Sequence, residues 1–242
     1  MDDPALDPRE HRRALDALGR ASLVSRTAAS IWPAIRELTS GAPARRLRVA
    51  DIACGGGHVA VALARLAARD GVEVDIVGHD ISLVAVDYAT ALAGRSGVRG
   101  VSFVLGDVLH DELVGPAEAG PNKSVNGTFD VAFSSLFLHH LGEDEAVAAL
   151  AAMKRVGRRL VVVSDLKRSR LGYLMAWIGC RLLSASRVFR TDGALSVRAA
   201  YSPDEFRAVA DRAGLVGATI ASQWPERFVM TWKPRREGHV LA

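Results

Sequence analysis

Two hydrophobic periods alternate along the chain. Leu15, Leu18, Leu23 and Val24, then Ile31, Ile35 and Leu38, recur at helical spacing and predict two helices within residues 8–40. Gly19 is expected to interrupt the pair, and Gly41-Ala42-Pro43 to end the second. Short apolar runs follow. Strands are predicted at 48–52, 74–79 (closing on Asp80), 101–105, 129–134 and 160–164, with helices at 58–69, 82–94 and 143–155 between them. This alternation argues for a parallel sheet covered on both faces. The run from Leu160 to Ser164 is continuously apolar, as a central buried strand should be. The rhythm breaks at 166–200, where an apolar helical stretch over 171–184 is followed by a segment that reads as an Arg-bearing loop (Arg187, Arg190, Arg198). Ser202, Pro203 and Glu205 then occupy the N-cap, N1 and N3 positions of a capping box, opening a helix that ends near Gly214. Val216–Ser222 and Arg227–Trp232 read as an antiparallel hairpin joined at Trp224-Pro225-Glu226. Residues 115–127 are a Gly-, Pro- and Asn-rich loop, and 233–242 a frayed tail.

Composition narrows this picture slightly. The chain has 242 residues, of which 49% are hydrophobic and 24% charged, enough for one large core and unlike a disordered chain, a rod or a small disulfide scaffold. The net charge of +4 comes mainly from arginine and is spread along the chain, which gives no footprint for nucleic acid. Two cysteines without CxxC spacing predict neither a metal site nor a disulfide framework, and fit a reducing cytoplasm. The charged N-terminus lacks a signal-peptide core, and the most apolar stretch is too short for stable membrane insertion.

The chemistry concentrates where strands end. Gly55-Gly56-Gly57-His58-Val59-Ala60 fits a G-x-G-x-x-G/A turn between a strand and a helix, where backbone N–H groups can approach a ligand at the positive end of a helix dipole. Sites for NAD, FAD and S-adenosylmethionine all use such a turn. Three acids sharpen it. Asp51 ends the first strand, within reach of a ligand ammonium. Asp80 ends the second, where an acid accepts ribose hydroxyls. Asp107 follows the third and suits an exocyclic amine. Any one of them also reads as a solvated strand end. A hydride-transfer site explains Asp80 and the glycines but not Asp51 or Asp107.

At these residues the sequence resembles the class I S-adenosylmethionine (SAM)-dependent methyltransferases. Val49-Ala-Asp51-Ile-Ala-Cys-Gly55-Gly-Gly57 is similar to their first motif, Asp80 to their ribose acid, Gly106-Asp107-Val108 to their adenine segment, and Phe129 to Ser134 to their fourth motif. The resemblance implies an α/β, doubly wound, seven-stranded sheet in the order 3-2-1-4-5-7-6 with strand 7 antiparallel. It implies SAM as cofactor, bound by Asp51, Ala53, Gly55, Gly57, Asp80, Ile81, Asp107, Val108 and Ser134. His58 departs from the small or hydroxyl residue common there; it would touch the carboxylate end of SAM or fill space. The expected organisation is a helical cap at 1–44, a methyltransferase domain at 45–232 with a cap insertion at 166–200, and a tail at 233–242.

An acceptor must lie in line with the methyl and, for a hydroxyl, lose a proton. His139 and His140, leaving the fourth strand, are the base candidates, and Asp165 at the end of the fifth strand can orient an imidazole. Neighbouring residues of a regular element do not both face one pocket, so one His is expected to act and the other to pack. This arrangement is similar to that of small-molecule O-methyltransferases. Asp165-Leu-Lys-Arg168-Ser-Arg170-Leu-Gly172-Tyr173, and the later Val197-Arg198 followed by Tyr201-Ser-Pro-Asp-Glu, resemble a bacterial subgroup similar to enzymes of polyketide, phenolic-lipid and quinone pathways. Arg168, Tyr173 and Trp177 are taken as acceptor-binding. Packing on the sheet explains the apolar 171–184 stretch equally well, and a solvated helix start explains Arg168.

The expected function is methyl transfer to a hydroxyl of a small aromatic or lipid-like molecule, by a monomer or homodimer without metal. N- or C-methylation, including a quinone ring carbon, is the alternative on the same fold. An NAD(P)-dependent reductase would want a Tyr-x-x-x-Lys, and Tyr88, Tyr173 and Tyr201 have Leu92, Trp177 and Glu205 where the Lys belongs. A non-catalytic SAM-binding scaffold would need no polar groups at the acceptor position.

Overall fold

A computed structural model describes residues 7–40, 46–110, 113, 129–183 and 187–234. The expected loop at 115–127, the helix stop at 41–43 and most of the 233–242 tail lie outside the described residues.

Apolar runs with no polar face become the middle of a sheet. β1 (Leu47–Ile52), β4 (Phe129–Ser135) and β5 (Gly157–Leu166) are buried nearly throughout, whereas the edge strands β3 (Val101–Leu105) and β6 (Thr219–Gln223) are partly or largely exposed. With β2 (Val74–Asp80) and β7 (Arg227–Trp232) they form one seven-stranded sheet in the order β3-β2-β1-β4-β5-β7-β6. All neighbours pair in parallel except β7, which is antiparallel to both β5 and β6.

Alternate residues of each central strand feed two cores. Ala50, Ala132, Val161 and Val163 face α5 (Glu143–Val156) and α8 (Pro203–Arg212). Val49, Val131, Phe133 and Val162 face α2 (Thr27–Glu37) and α3 (His58–Arg69). The capping box on α8 is present: the Glu205 N–H donates to Ser202 Oγ, and the Ser202 N–H to the Glu205 carboxylate.

Two expectations are corrected. Gly19 does not interrupt the first helix, α1 (Pro8–Val24); the break falls at Ser25–Arg26, where Arg26 takes a left-handed φ of 52°. Gly19 instead lets α1 approach α3, since a Cβ there would lie 2.3 Å from His58 Nε2. The presumed Arg-bearing loop is also a helix, α7 (Arg187–Ala199), packed against α6 (Arg170–Leu183). Alternating small and polar residues hid its apolar face. α1 touches α3, α6, α7 and α4 (Leu83–Ser96), so it lies across the carboxyl edge of the sheet. Among the described residues no helix is long and apolar enough to cross a membrane.

Candidate active site

Parallel strands present all their carboxyl ends on one edge, and the site is built there. β1 turns sharply: Ala53 and Gly55 have φ of 54° and 51°, and Gly57, capping α3, has φ of 71°. At Gly57 no larger residue fits, because a Cβ would lie 2.5 Å from the Phe103 ring. Asp80 braces this turn, its carboxylate accepting the Gly55 N–H at 2.8 Å and the Ser82 N–H at 2.9 Å. The result is a cleft of about 450 Å³ between the turn, Ile81–Ala85, Ser135–Phe137 and α1, which contributes His11, Leu15, Leu18 and Ser22. α1 is held over it by a latch: Tyr88 donates to Asp16 and stands 3.5 Å from His58 Nε2. Burial first, then the bond to Asp16 and its charge, push the Tyr88 hydroxyl up to about 12.

Asp51 is 1% exposed, and neither carboxylate oxygen has a hydrogen-bond partner among the described residues. Burial, reinforced by the charge of Asp80, pushes its carboxyl well above the usual range. An enclosed, unsatisfied carboxylate beside a ligand-sized cleft is a group awaiting a cation, and the glycine turn leaves room for one. The residues present therefore fit SAM, whose ammonium and ribose call for an acid near each of these positions.

A second cavity, of about 290 Å³, adjoins the first and shares Leu18, Leu136 and His140 with it. Its wall is mostly apolar: Ala21 and Val24 from α1, Gly172, Met175, Ala176, Gly179 and Cys180 from α6, and Val197 from α7. Its polar groups are few, chiefly His139, His140, Glu226 and Arg227. His139 is buried, its Nδ1 2.6 Å from Asp165 Oδ1. The other Asp165 oxygen accepts the Leu138 N–H at 2.9 Å. Burial works to raise the Asp165 carboxyl, but the charge and hydrogen bond of His139, the Leu166 N–H and the charge of Arg227 outweigh it, so it sits below the usual range. An ionised Asp165 accepts from Nδ1–H, which leaves Nε2 as the basic nitrogen of His139.

His139 and His140 both line this cavity, contrary to the expectation that only one would. They occupy a single 3-10 turn, Leu138–His140, with ring centroids 4.1 Å apart and planes tilted by 38°. A turn this short has no fixed inner and outer face. Leu136, before it, has a left-handed φ of 56° and donates its N–H to the Ser164 carbonyl at 3.0 Å, which fixes it where the cavities meet.

The other expected residues scatter. Ala53, Gly55, Asp80 and Ile81 line the cleft; Asp51, Gly57, Asp107, Val108 and Ser134 do not. Asp107 is engaged by its own loop, accepting the Leu109 N–H at 2.8 Å and pairing with His110 Nδ1 at 2.8 Å. Val108 joins the core, and Ser134 is fully buried with its Oγ unpartnered. Arg168, Tyr173 and Trp177 line neither cavity, a correction to their placement in the acceptor site. Arg168 pairs with Glu205, and Trp177 stacks under Arg181 at 3.8 Å on the outer side of α6. Helical phase explains this: Gly172, Met175, Ala176, Gly179 and Cys180 take the inner face, and Tyr173 and Trp177 turn outward. Leu136, the α1 residues of the cleft and Arg227 escaped the sequence reading, since only the fold brings them to the strand ends.

Residues 49–159 match the family described as a methyltransferase domain. The chain is 32% identical over 146 residues to a protein named ubiquinone biosynthesis O-methyltransferase from Roseobacter denitrificans, covering 60% of this chain and 51% of that one. A protein of the same name from a Ruegeria species is 27% identical over 180 residues, covering 74% and 64%. The chain thus spans between about half and two thirds of the length of these relatives. Among solved structures, the SAM-bound magnesium protoporphyrin IX methyltransferase of Synechocystis superposes with a TM-score of 0.53 at 15% identity, covering 95% of this chain and 98% of that one. An O-methyltransferase family 2 protein of Planctomyces limnophilus, in complex with apigenin, gives 0.58 at 18% identity, covering 96% and 63%. Residues 49–159 are thus similar to a methyltransferase domain, and the strand order is the fold shared with these solved structures.

Proposed function

We propose that the protein transfers a methyl group from SAM to a hydroxyl oxygen of a small, largely apolar aromatic acceptor, with His139 as general base. The observation that carries this reading is the buried His139–Asp165 pair in the wall of a second cavity that meets the cofactor cleft at Leu136 and His140. SAM, when bound, supplies an electrophilic methyl on a cationic sulfur. The glycine turn and Asp80 would hold its nucleoside, and Asp51 its ammonium. Asp107, Val108 and Ser134 belong to the same proposed site, as flanking positions at neighbouring strand ends.

On the acceptor side, the apolar wall excludes water and orients a ring, while His139 Nε2 takes the hydroxyl proton as the oxygen gains the methyl. Asp165 keeps the imidazole in the correct tautomer and offsets the charge it acquires. The proton then leaves to solvent, with His140, exposed at the junction, on its path. Oxygen is favoured over nitrogen or carbon because an oriented base is needed for a hydroxyl, whereas an amine has only to be neutral. The names of the relatives agree with this. We also propose that residues 45–232 form the catalytic unit, with α1, α2 and the 166–200 segment as its cap. Its two free cysteines agree with a reducing cytoplasm.

Labelled SAM offered with a panel of phenols, catechols, hydroquinones and aryl amines tests the reading. Methyl should appear on oxygen. Labelling of amines alone, or tight NAD(P)H binding without SAM binding, would overturn it.

A further inference from the structure

The catalytic reading leaves one buried charge without a task. Arg227 opens β7 opposite Leu166 of β5, is 3% exposed and lines the acceptor cavity. It forms no ion pair among the described residues, and its Nε–H has no hydrogen-bond partner. Burial pushes its guanidinium down to about 10, with the charge of Asp165 working the other way, so it remains a cation at neutral pH. Enclosing a cation without an ion-pair partner is costly, and an apolar residue of similar size would pack the same space without that cost.

Its contacts indicate what the charge does. Nη1 donates to Ser25 Oγ at 2.8 Å and to Thr27 Oγ1 at 2.6 Å, and these two hydroxyls are themselves 2.9 Å apart. Ser25 and Thr27 flank Arg26, the left-handed residue at the corner between α1 and α2. A non-glycine residue in that region persists only where its surroundings hold it. On the other side, Nη2 donates to the Ser164 carbonyl at 3.4 Å, the same oxygen that accepts from the Leu136 N–H. One guanidinium thus spans from the α1 corner to the carbonyl preceding Asp165, and that carbonyl also fixes Leu136 at the junction of the two cavities. Beyond the corner, α1 supplies wall residues to both cavities, including Leu18, which is common to them.

We propose that Arg227 is a positioning residue: it fastens the α1–α2 corner to the strand end that carries Asp165, and so keeps the α1 wall in register with the His139–Asp165 pair. This rests on the methyltransferase reading of the site. It makes the grip of α1 on the cofactor depend on hydroxyls outside the cofactor cleft.

The test uses the full chain and S-adenosylhomocysteine as probe. A Ser25→Ala/Thr27→Val double variant removes the grip but leaves Arg227, the dyad and the cleft in place. We expect its dissociation constant for the probe to rise about tenfold through faster release, the effect of losing two charge-assisted bonds partly offset by water. Amide exchange over 8–24 in the complex should accelerate by a similar factor, while that of β4 and β5 stays unchanged. Thr27→Ser, which keeps a hydroxyl, should behave as the parent, and Arg227→Met should match the double variant. Parental release and parental α1 exchange in the double variant, even with a lowered melting temperature, would overturn the proposal. A parent protein that fails to bind the probe would instead strike down the functional reading itself.

Discussion

Asp51 and Asp165 are both enclosed carboxylates at the carboxyl edge of one sheet, and they behave in opposite ways. Asp165 receives donors from His139, Leu138 and Leu166 and stands near Arg227, so its charge is held even without solvent. Asp51 has no donor among the described residues, and the nearby Asp80 makes its ionisation harder still. The half proposed to hold the acceptor is therefore satisfied before any ligand arrives. The cofactor half is left incomplete, and a cationic ligand would complete it. Preorganised charge belongs where a proton must be moved quickly, and unsatisfied charge where binding free energy is wanted.

The sharpest way to break this contrast is to remove the satisfied pair. His139→Ala should lower turnover on a hydroxyl acceptor by about 10²–10⁴-fold, with Asp165→Asn nearly as severe, while SAM affinity by calorimetry stays within a factor of two. Weakened SAM binding in His139→Ala would show that the two halves are not separable.

The incomplete half should respond in the opposite sense. Asp51→Asn should weaken SAM by about tenfold to a hundredfold, because the proposed partner of the ammonium is lost. The same change should stabilise the ligand-free protein. A carboxyl whose folded pKa is raised contributes stability that is full below about pH 4 and is lost as pH rises through the folded value. The gain in melting temperature for Asp51→Asn should therefore grow from about pH 4 upward. For Asp165 the folded pKa is lowered, so its contribution is present above about pH 4 and vanishes as pH falls through the folded value. Asp165→Asn should then be least destabilised in acid. Parallel pH trends in the two variants would erase the distinction drawn here.

The two halves also differed in how far the sequence disclosed them. The cofactor half is local. A strand, a glycine turn, a helix and a second strand follow one another between residues 47 and 80, so Asp51, Gly55, Gly57 and Asp80 could be named together from their spacing. The β–α alternation and one hairpin disclosed a parallel sheet with an antiparallel end, while the strand order came only with the resemblance. The acceptor half is assembled from α1, the 3-10 turn, α6, α7 and β7. His139 and Asp165 could be paired because both leave strands on one edge. Arg227 and its partners Ser25 and Thr27 lie about 200 residues apart, and nothing local joins them. On α6 the large Tyr173 and Trp177 drew attention, whereas Met175 and mostly small residues line the cavity, because room for a ligand is written as the absence of side chain.

Two glycines carry that last point into smaller effects. Gly57→Ala introduces a Cβ at a left-handed φ, 2.5 Å from Phe103, and should destabilise by about 1–3 kcal/mol in chemical denaturation, with loss of SAM binding in proportion. Gly179 is its counterpart. It sits inside α6, lines the acceptor cavity, and a Cβ built there meets nothing within 4 Å. Gly179→Ala should therefore stabilise the protein, by about 0.5–1 kcal/mol from helix propensity alone. Gly179→Leu should keep SAM affinity and the rate on a single-ring phenol, yet raise the KM of bulkier acceptors several-fold as the side chain fills the cavity. If both Gly179 variants leave acceptor size preference untouched, the acceptor does not lie along α6, and the second cavity would have to be reassigned while the cofactor half stood unchanged.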